Sequence, residues 1–116
     1  HPGERPTGFV VILMPEKGKD LACFDVGIAA QTIQLAATSR GWGCCMIQSF
    51  DHQAAPALLN VPQDMKIALV LGLGVAKETR VVASMPESGA TTYWRDAEGV
   101  HHVPKRSLDD LVIARY

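Results

Sequence analysis

Between Asp25 and Arg40 the chain runs through VGIAAQTIQLAATS without a single charge. No other stretch restricts the fold so strongly. Asp25 is a natural N-cap and Gly41, in the following GWG, is the residue that commonly closes a helix, so the spacing predicts one helix from Val26 to Arg40. At 100° per residue Val26, Ala29, Ala30, Ile33, Ala36 and Ala37 share one face, the ordinary core side of an amphipathic helix. The opposite side should then be charged. Instead it carries Gln31, Thr32, Gln34, Thr38 and Ser39, with Ile28 and Leu35 seven positions apart among them. A helix neutral all round is covered on both sides, either as the central helix of a small domain or, the reading preferred here, with another subunit as its second cover.

The elements around it follow from short apolar runs. FVVILM (Phe9 to Met14) reads as a buried strand closed by Pro15, being too short for a buried helix and rich in β-branched residues. PEKGKD is a solvated loop. CCMI (Cys44 to Ile47) predicts a short strand, Asp51 a cap for a short helix through HQAAPALLN, and MKIALVLGLG a second buried strand. Residues 75–90 read as irregular, with RVVA able to form a few extended pairs. TTYWRDAEGVHHVP predicts a hairpin around DAEG, and Ser107 with Asp110 an approximate capping box ahead of a helical or extended tail. The order implies one α+β domain over residues 1–116, built on a mixed β-sheet with a long central helix at a dimer interface.

Composition sets the outer limits. In 116 residues, 47% are apolar and 20% charged, a globular balance with enough chain for a core. Lys+Arg 11 against Asp+Glu 12 gives a net charge of -1 with no basic run, which argues against a nucleic acid partner. No apolar run approaches the length of a membrane span, and HPGERPTG lacks the pattern of a secretory leader, so a cytoplasmic protein without a membrane partner is expected. Three cysteines without CxxC spacing suit reduced thiols. The first residue is His1 rather than Met, which implies a processed or truncated polypeptide.

Several chemistries can be weighed from the residues. Cys44 and Cys45 in a strand project to opposite faces, as do His101 and His102, so neither pair can grip one ion and no metal is expected. No partnered histidine or helix N-terminus selects a thiol nucleophile, leaving the cysteines as small apolar strand residues. His52 is a surface helix residue. GLGVAK lacks the third glycine of a dinucleotide loop and the GK-Ser/Thr of a P-loop, so its glycines suggest a turn. Lys105 and Arg106 stand just before Ser107, where a helix can begin, which makes either a phosphate seat or a solvated basic pair.

Taken together, DVGIAAQTIQLAATSRGWGCCMIQSFD, then LLNVPQDMKIALVLGLGVAKE, and a basic pair near the C-terminus resemble the second half of the FMN-dependent nitroreductase family. The resemblance spans about Phe9 to Arg106 and rests on order and spacing more than on any one residue. YWRDAEGVHHVPKR resembles a subgroup carrying this hairpin before its basic residues. What the resemblance implies is a homodimer with FMN at the subunit interface, formed largely by the neutral helix. It implies a flavin pocket shaped by Met46, Ile47, Gln48 and Ser49, with backbone N–H groups near flavin N5, and phosphate contacts from Lys105 and Arg106. No side chain here is implied as a catalytic acid or base. The family's N-terminal helix and its Arg-Ser-x-Arg-like flavin-binding segment have no counterpart in this sequence. The implied activity is ping-pong transfer of electrons from NAD(P)H through FMN to a nitroaromatic or quinone-like acceptor. The alternatives are a non-enzymatic α+β dimerising module, an inactive fragment of such a flavoprotein, or a relative using flavin for dehalogenation or oxidation.

Overall fold

In the computed structural model, residues 5–17 and 21–114 are described. The ends of the expected N-terminal and C-terminal segments and residues 18–20 of the PEKGKD loop lie outside them. The chain divides into two compact units, His1–Ala76 and Lys77–Tyr116.

In the first unit, the apolar runs become β1 (Gly8–Pro15), β2 (Gly43–Ile47) and β3 (Met65–Gly74), a three-stranded sheet in the order β1-β3-β2. Both pairings are antiparallel, with Phe9 opposite Gly72 and Cys45 opposite Gly72 from the other side; the β1–β3 register shifts between Ile12 and Leu13. Alternation along β3 turns Ile67, Leu69 and Leu71 into the core, where Leu71 is wholly buried. Helix α1 (Ala22–Thr38) lies on that face. Ala30 and Ala37, both buried, bring its backbone close to Cys44, Leu69 and Leu71, while Val26 and Ile33 of the helix and Val10, Ile12 and Leu73 of the sheet pack around this cluster.

Helix α1 starts earlier than the capping logic predicts. Leu21 stands at the N-cap with no side-chain cap, and Asp25 sits inside the first turn, where its charge complements the helix dipole. Its far end is as expected: Gly41 at φ 74° lets the Gly41 N–H donate to Thr38 O and the Trp42 N–H to Ala37 O, the two closing bonds of a Schellman turn. The helix covers one face of a sheet and is not central. Its outer side is open, with Leu21, Phe24, Ile28 and Leu35 at 64, 66, 66 and 61% exposure. The outer hydroxyls need no partner from elsewhere, because Thr32 Oγ1 donates to Ile28 O and Thr38 Oγ1 to Gln34 O.

Helix α2 (Ala54–Leu58) follows β2. As expected, Asp51 initiates it, accepting the Gln53 and Ala54 N–H groups at 2.9 Å each. These bonds hold the Asp51 carboxyl below its ordinary pKa. The glycines of GLG do not form a turn. They lie inside β3, as the strand reading of MKIALVLGLG has them, and a side chain there would collide with the entering chain: a Cβ on Gly72 would stand 2.8 Å from Pro6 Cγ and one on Gly74 3.0 Å from Thr7 Oγ1. Thr7 is tied down at this crossing by its N–H, which donates to Leu73 O at 2.8 Å.

In the second unit, the expectation of a single mixed sheet gives way to a separate one. Strands β4 (Arg80–Ser84), β5 (Trp94–Arg95) and β6 (His101–Lys105) order as β4-β6-β5, with β4 parallel and β5 antiparallel to β6. RVVA thus forms a full strand within the segment expected to be irregular. The DAEG hairpin forms as predicted, turning through Gly99 at φ 80°. Pro104 lies beyond the reach of β5, where β6 has a partner on one side only. Ser107 and Asp110 make a complete capping box on the one-turn helix α3 (Leu108–Leu111). Among the described residues no helix is long and apolar enough to cross a membrane.

Candidate functional site

Met46 and Ile47 are the last two residues of β2, on an edge strand bonded to β3 alone. Met46 pairs with Leu71 and Ile47 with Val70, so the two side chains project to opposite faces of the sheet. The tip of Ile47 depends on a glycine: its Cδ1 lies 3.3 Å from where a Cβ on Gly72 would stand. Cys44 and Cys45 alternate as expected, Cys44 buried in the core and Cys45 exposed. Burial, with the neighbouring Cys45 sulfur, pushes the Cys44 thiol above its ordinary pKa, the condition of a structural cysteine rather than a nucleophile.

Gln48 and Ser49 then form an exposed, uncharged bridge from β2 towards α2. The Gln48 carbonyl is occupied, accepting from the Phe50 N–H at 3.0 Å and meeting His52 Nε2 at 3.2 Å, and the Phe50 and His52 rings stand 4.0 Å apart. These contacts fix the bend. The N–H and hydroxyl of Ser49 have no hydrogen-bond partner among the described residues. A rigid bend that presents an unbonded backbone donor beside Met46 and Ile47 can receive a planar apolar group carrying an acceptor atom. Two concave surfaces lie elsewhere, one around Pro15, Lys17 and Asp64, the other around Thr7, Trp42 and Gly74. Neither is lined by Met46–Ser49, which stand at the end of a strand.

Lys105 ends β6 opposite Ser84 and is exposed, as is Arg106 after it. At the helix start that follows, two of the N–H groups are already taken. Asp110 Oδ2 already accepts the Ser107 N–H at 3.1 Å and the Ser107 hydroxyl at 2.7 Å, and α3 has a single turn. Those two bonds, with a smaller contribution from the Arg106 charge, hold the Asp110 carboxyl below its ordinary pKa. What remains is a basic pair on an exposed strand end. It lies in the second unit, and Met46–Ser49 in the first.

The strand β6 also carries two polar contacts that the sequence did not disclose. His101 Nδ1 lies 3.3 Å from Glu78 Oε2, and His102 Nε2 lies 2.7 Å from Asp96 Oδ2. Only the opposite placement of the two histidines was legible, from strand alternation. No group of three or more metal-ligating side chains occurs among the described residues.

Comparison with known proteins bears directly on the first unit. The Nitroreductase family model matches residues 3–75. The chain belongs to the nitroreductase family. Two solved structures agree with this assignment. A nitroreductase family protein from Clostridium novyi NT is 31% identical over 60% of this chain and 43% of its own, with a TM-score of 0.54. An FMN-dependent nitroreductase from Clostridium difficile R20291 is 28% identical over 60% of this chain and 46% of its own, with a TM-score of 0.55. No curated protein matches. This nitroreductase-family chain therefore spans less than half the length of either structure. The family match includes Met46–Ser49 and ends at residue 75, ahead of the hairpin, Lys105 and Arg106.

Proposed function

We propose that this chain is the C-terminal part of one nitroreductase-like domain, an FMN-dependent oxidoreductase of the cytoplasm that works as a homodimer. The observation that carries the reading is the family match over residues 3–75, which includes the bend at Met46–Ser49 and its unbonded Ser49 N–H. Bound FMN would supply the chemistry, taking a hydride from NAD(P)H and passing electrons in a second half-reaction to a nitroaromatic or quinone-like acceptor.

The chain's own residues would bind and orient. Met46 and Ile47 offer apolar surface to the ring system and Gln48 shapes the bend. The Ser49 N–H is the donor for a flavin ring nitrogen, where a hydrogen bond strengthens as negative charge develops. Lys105 and Arg106 would neutralise the phosphate. No side chain of the chain has to move a proton. The open stripe Leu21, Phe24, Ile28 and Leu35 on α1 would meet the same stripe of a second copy, since spacings of three, four and seven place these residues along one seam.

The same stripe favours a second reading, a dimerising module without flavin. The absorption spectrum of the purified chain, with and without added FMN, separates the two. A flavin band that stays with the protein through gel filtration supports the oxidoreductase; a colourless chain that retains no FMN sinks the proposal for this chain. Lys105→Ala with Arg106→Ala then tests the phosphate contact: flavin affinity falls at least about tenfold while the dimer persists, charge-assisted bonds being worth about 1.5–3 kcal/mol each. Unchanged affinity removes both residues from the site.

A further inference from the structure

The second unit is held together differently from the first. Among the described residues the buried hydrophobic core, Ala30, Ala37, Cys44, Ile67, Leu69 and Leu71, belongs to the first unit, and in the second unit the one buried residue is Pro104 of β6. Besides their backbone bonds and Pro104, β4, β5 and β6 are joined by a set of polar clasps on the two faces of β6. On one face Glu78, just ahead of β4, reaches all three strands: Oε2 accepts from Arg95 Nη2 of β5 at 2.9 Å and meets His101 Nδ1 of β6 at 3.3 Å, while Oε1 stands 3.8 Å from Arg80 Nε of β4. Tyr93 covers the His101 ring edge-on at 4.8 Å. On the other face Asp96 uses both oxygens. Its Oδ1 accepts the Glu98 N–H at 3.1 Å and the Val100 N–H at 2.8 Å, closing the hairpin turn, and its Oδ2 holds His102 Nε2 at 2.7 Å. The His102 ring in turn stacks on Trp94 of β5, 5.0 Å between centroids and 3° from parallel.

We propose that the second unit is an acid-labile clasp: protonation of Glu78 and Asp96 opens β4–β6 while the sheet and helix of the first unit remain folded. The reasoning is local. Each carboxylate joins segments that no buried apolar cluster holds, and each accepts bonds that a neutral carboxyl accepts more weakly. The groups facing Glu78 are Arg80, Arg95 and His101; the groups facing Asp96 are His102 and the turn amides. Both carboxyls are held below their ordinary pKa, Glu78 first by the Arg95 bond and Asp96 first by the His102 bond. A depressed carboxyl contributes stability that is complete above the ordinary carboxylate range, about pH 4, and is lost as pH falls through the depressed folded value. Core contacts of the first unit, between α1 and β1–β3, contain no such carboxylate. Opening would release the strand that ends in Lys105.

Amide hydrogen exchange on the whole chain between pH 7 and pH 3, expressed as protection relative to unstructured peptide, tests this residue by residue. The His101 N–H, bonded to Thr79 O, and the Val100 N–H report the second unit; Leu69 and Leu71 of β3 report the first. Each carboxylate can change the opening equilibrium by up to about tenfold per pH unit in its titration window, so protection at Val100 and His101 should fall at least tenfold further than at Leu69 and Leu71. Glu78→Gln with Asp96→Asn should bring the second unit's protection at pH 7 down towards the wild-type value at pH 3 and flatten its pH dependence, including the limit in which that unit is unprotected throughout. Parallel loss in both units of the wild-type chain, protection of β6 unchanged down to pH 3, or a pH dependence that survives in the double variant would each overturn the proposal.

Discussion

Ile28→Arg on the open side of α1 is the perturbation that separates a folding role from an assembly role for the neutral helix. Ile28 is 66% exposed, so its replacement removes little from the fold of a single copy. Full burial of a large aliphatic side chain is worth roughly 1.5–3 kcal/mol. With about two-thirds of that still ungained, covering Ile28 in a dimer would contribute roughly 1–2 kcal/mol per copy. A symmetric seam loses the contribution twice, and the guanidinium adds a charge that resists desolvation. A weakening of about 2–4 kcal/mol corresponds to roughly 30- to 1,000-fold in the dimer dissociation constant. Sedimentation equilibrium gives that constant, and circular dichroism with urea unfolding of the isolated monomer gives the control. The expected result is a monomeric variant with wild-type helicity. An undiminished dimer would place the interface elsewhere, and a wild-type chain that stays monomeric at high concentration would refute the seam itself. Unfolding of the variant at wild-type dimer strength would show that Ile28 is buried within one subunit.

Four further substitutions, one of them a control, probe the fold that supports the site. Leu71→Ala empties a wholly buried large side chain and should cost about 2–5 kcal/mol, read as a lower urea midpoint with an unchanged slope. Gly72→Val should destabilise by about 1–3 kcal/mol through collision with Pro6 and Ile47, whereas Gly8→Ala, with open space at its Cβ, should leave the midpoint nearly unchanged; equal effects would remove the close crossing as the reason for Gly72. Asp51→Ala should lower exchange protection at Ala54 and Ala55 at pH 7. In the wild-type chain the same loss should occur only as pH falls through the depressed Asp51 pKa, because the ionised carboxylate is the better acceptor.

Much of the first unit was legible because its elements obey one rule each. FVVILM and MKIALVLGLG announce strands by composition, GWG announces a helix end by the φ only glycine takes readily, and Asp51 announces a helix start by its acceptor oxygens. The errors came where a local rule met a tertiary fact. Asp25 has the chemistry of an N-cap, yet the helix extends past it to Ala22, where Asp25 becomes a first-turn charge. The run MKIALVLGLG correctly placed the glycines of GLG in a strand, but not the reason for them, which is Pro6 and Thr7 crossing overhead, a contact more than sixty positions away in sequence. No window of sequence contains that contact.

The candidate site was legible to a different degree in its two parts. The residues themselves placed only the strand end at Ile47 and the cap at Asp51; Met46–Ser49 between them was named as a site through the family resemblance, and the family match extends across it. Lys105 and Arg106 were placed by local logic, a basic pair before a helix start, and there the logic was incomplete. A capping box identifies a helix start by the groups that satisfy its N–H donors, and a satisfied donor is not available to a phosphate. Ser107 and Asp110 are therefore good indicators of α3, and their own N–H groups, being taken, add nothing to an anion site. The contribution of Lys105 and Arg106 to phosphate binding is then that of two exposed charges. In that case binding should weaken steeply with added salt, as expected for exposed cations screened by the solvent, rather than persist as it would in a cradle of backbone amides.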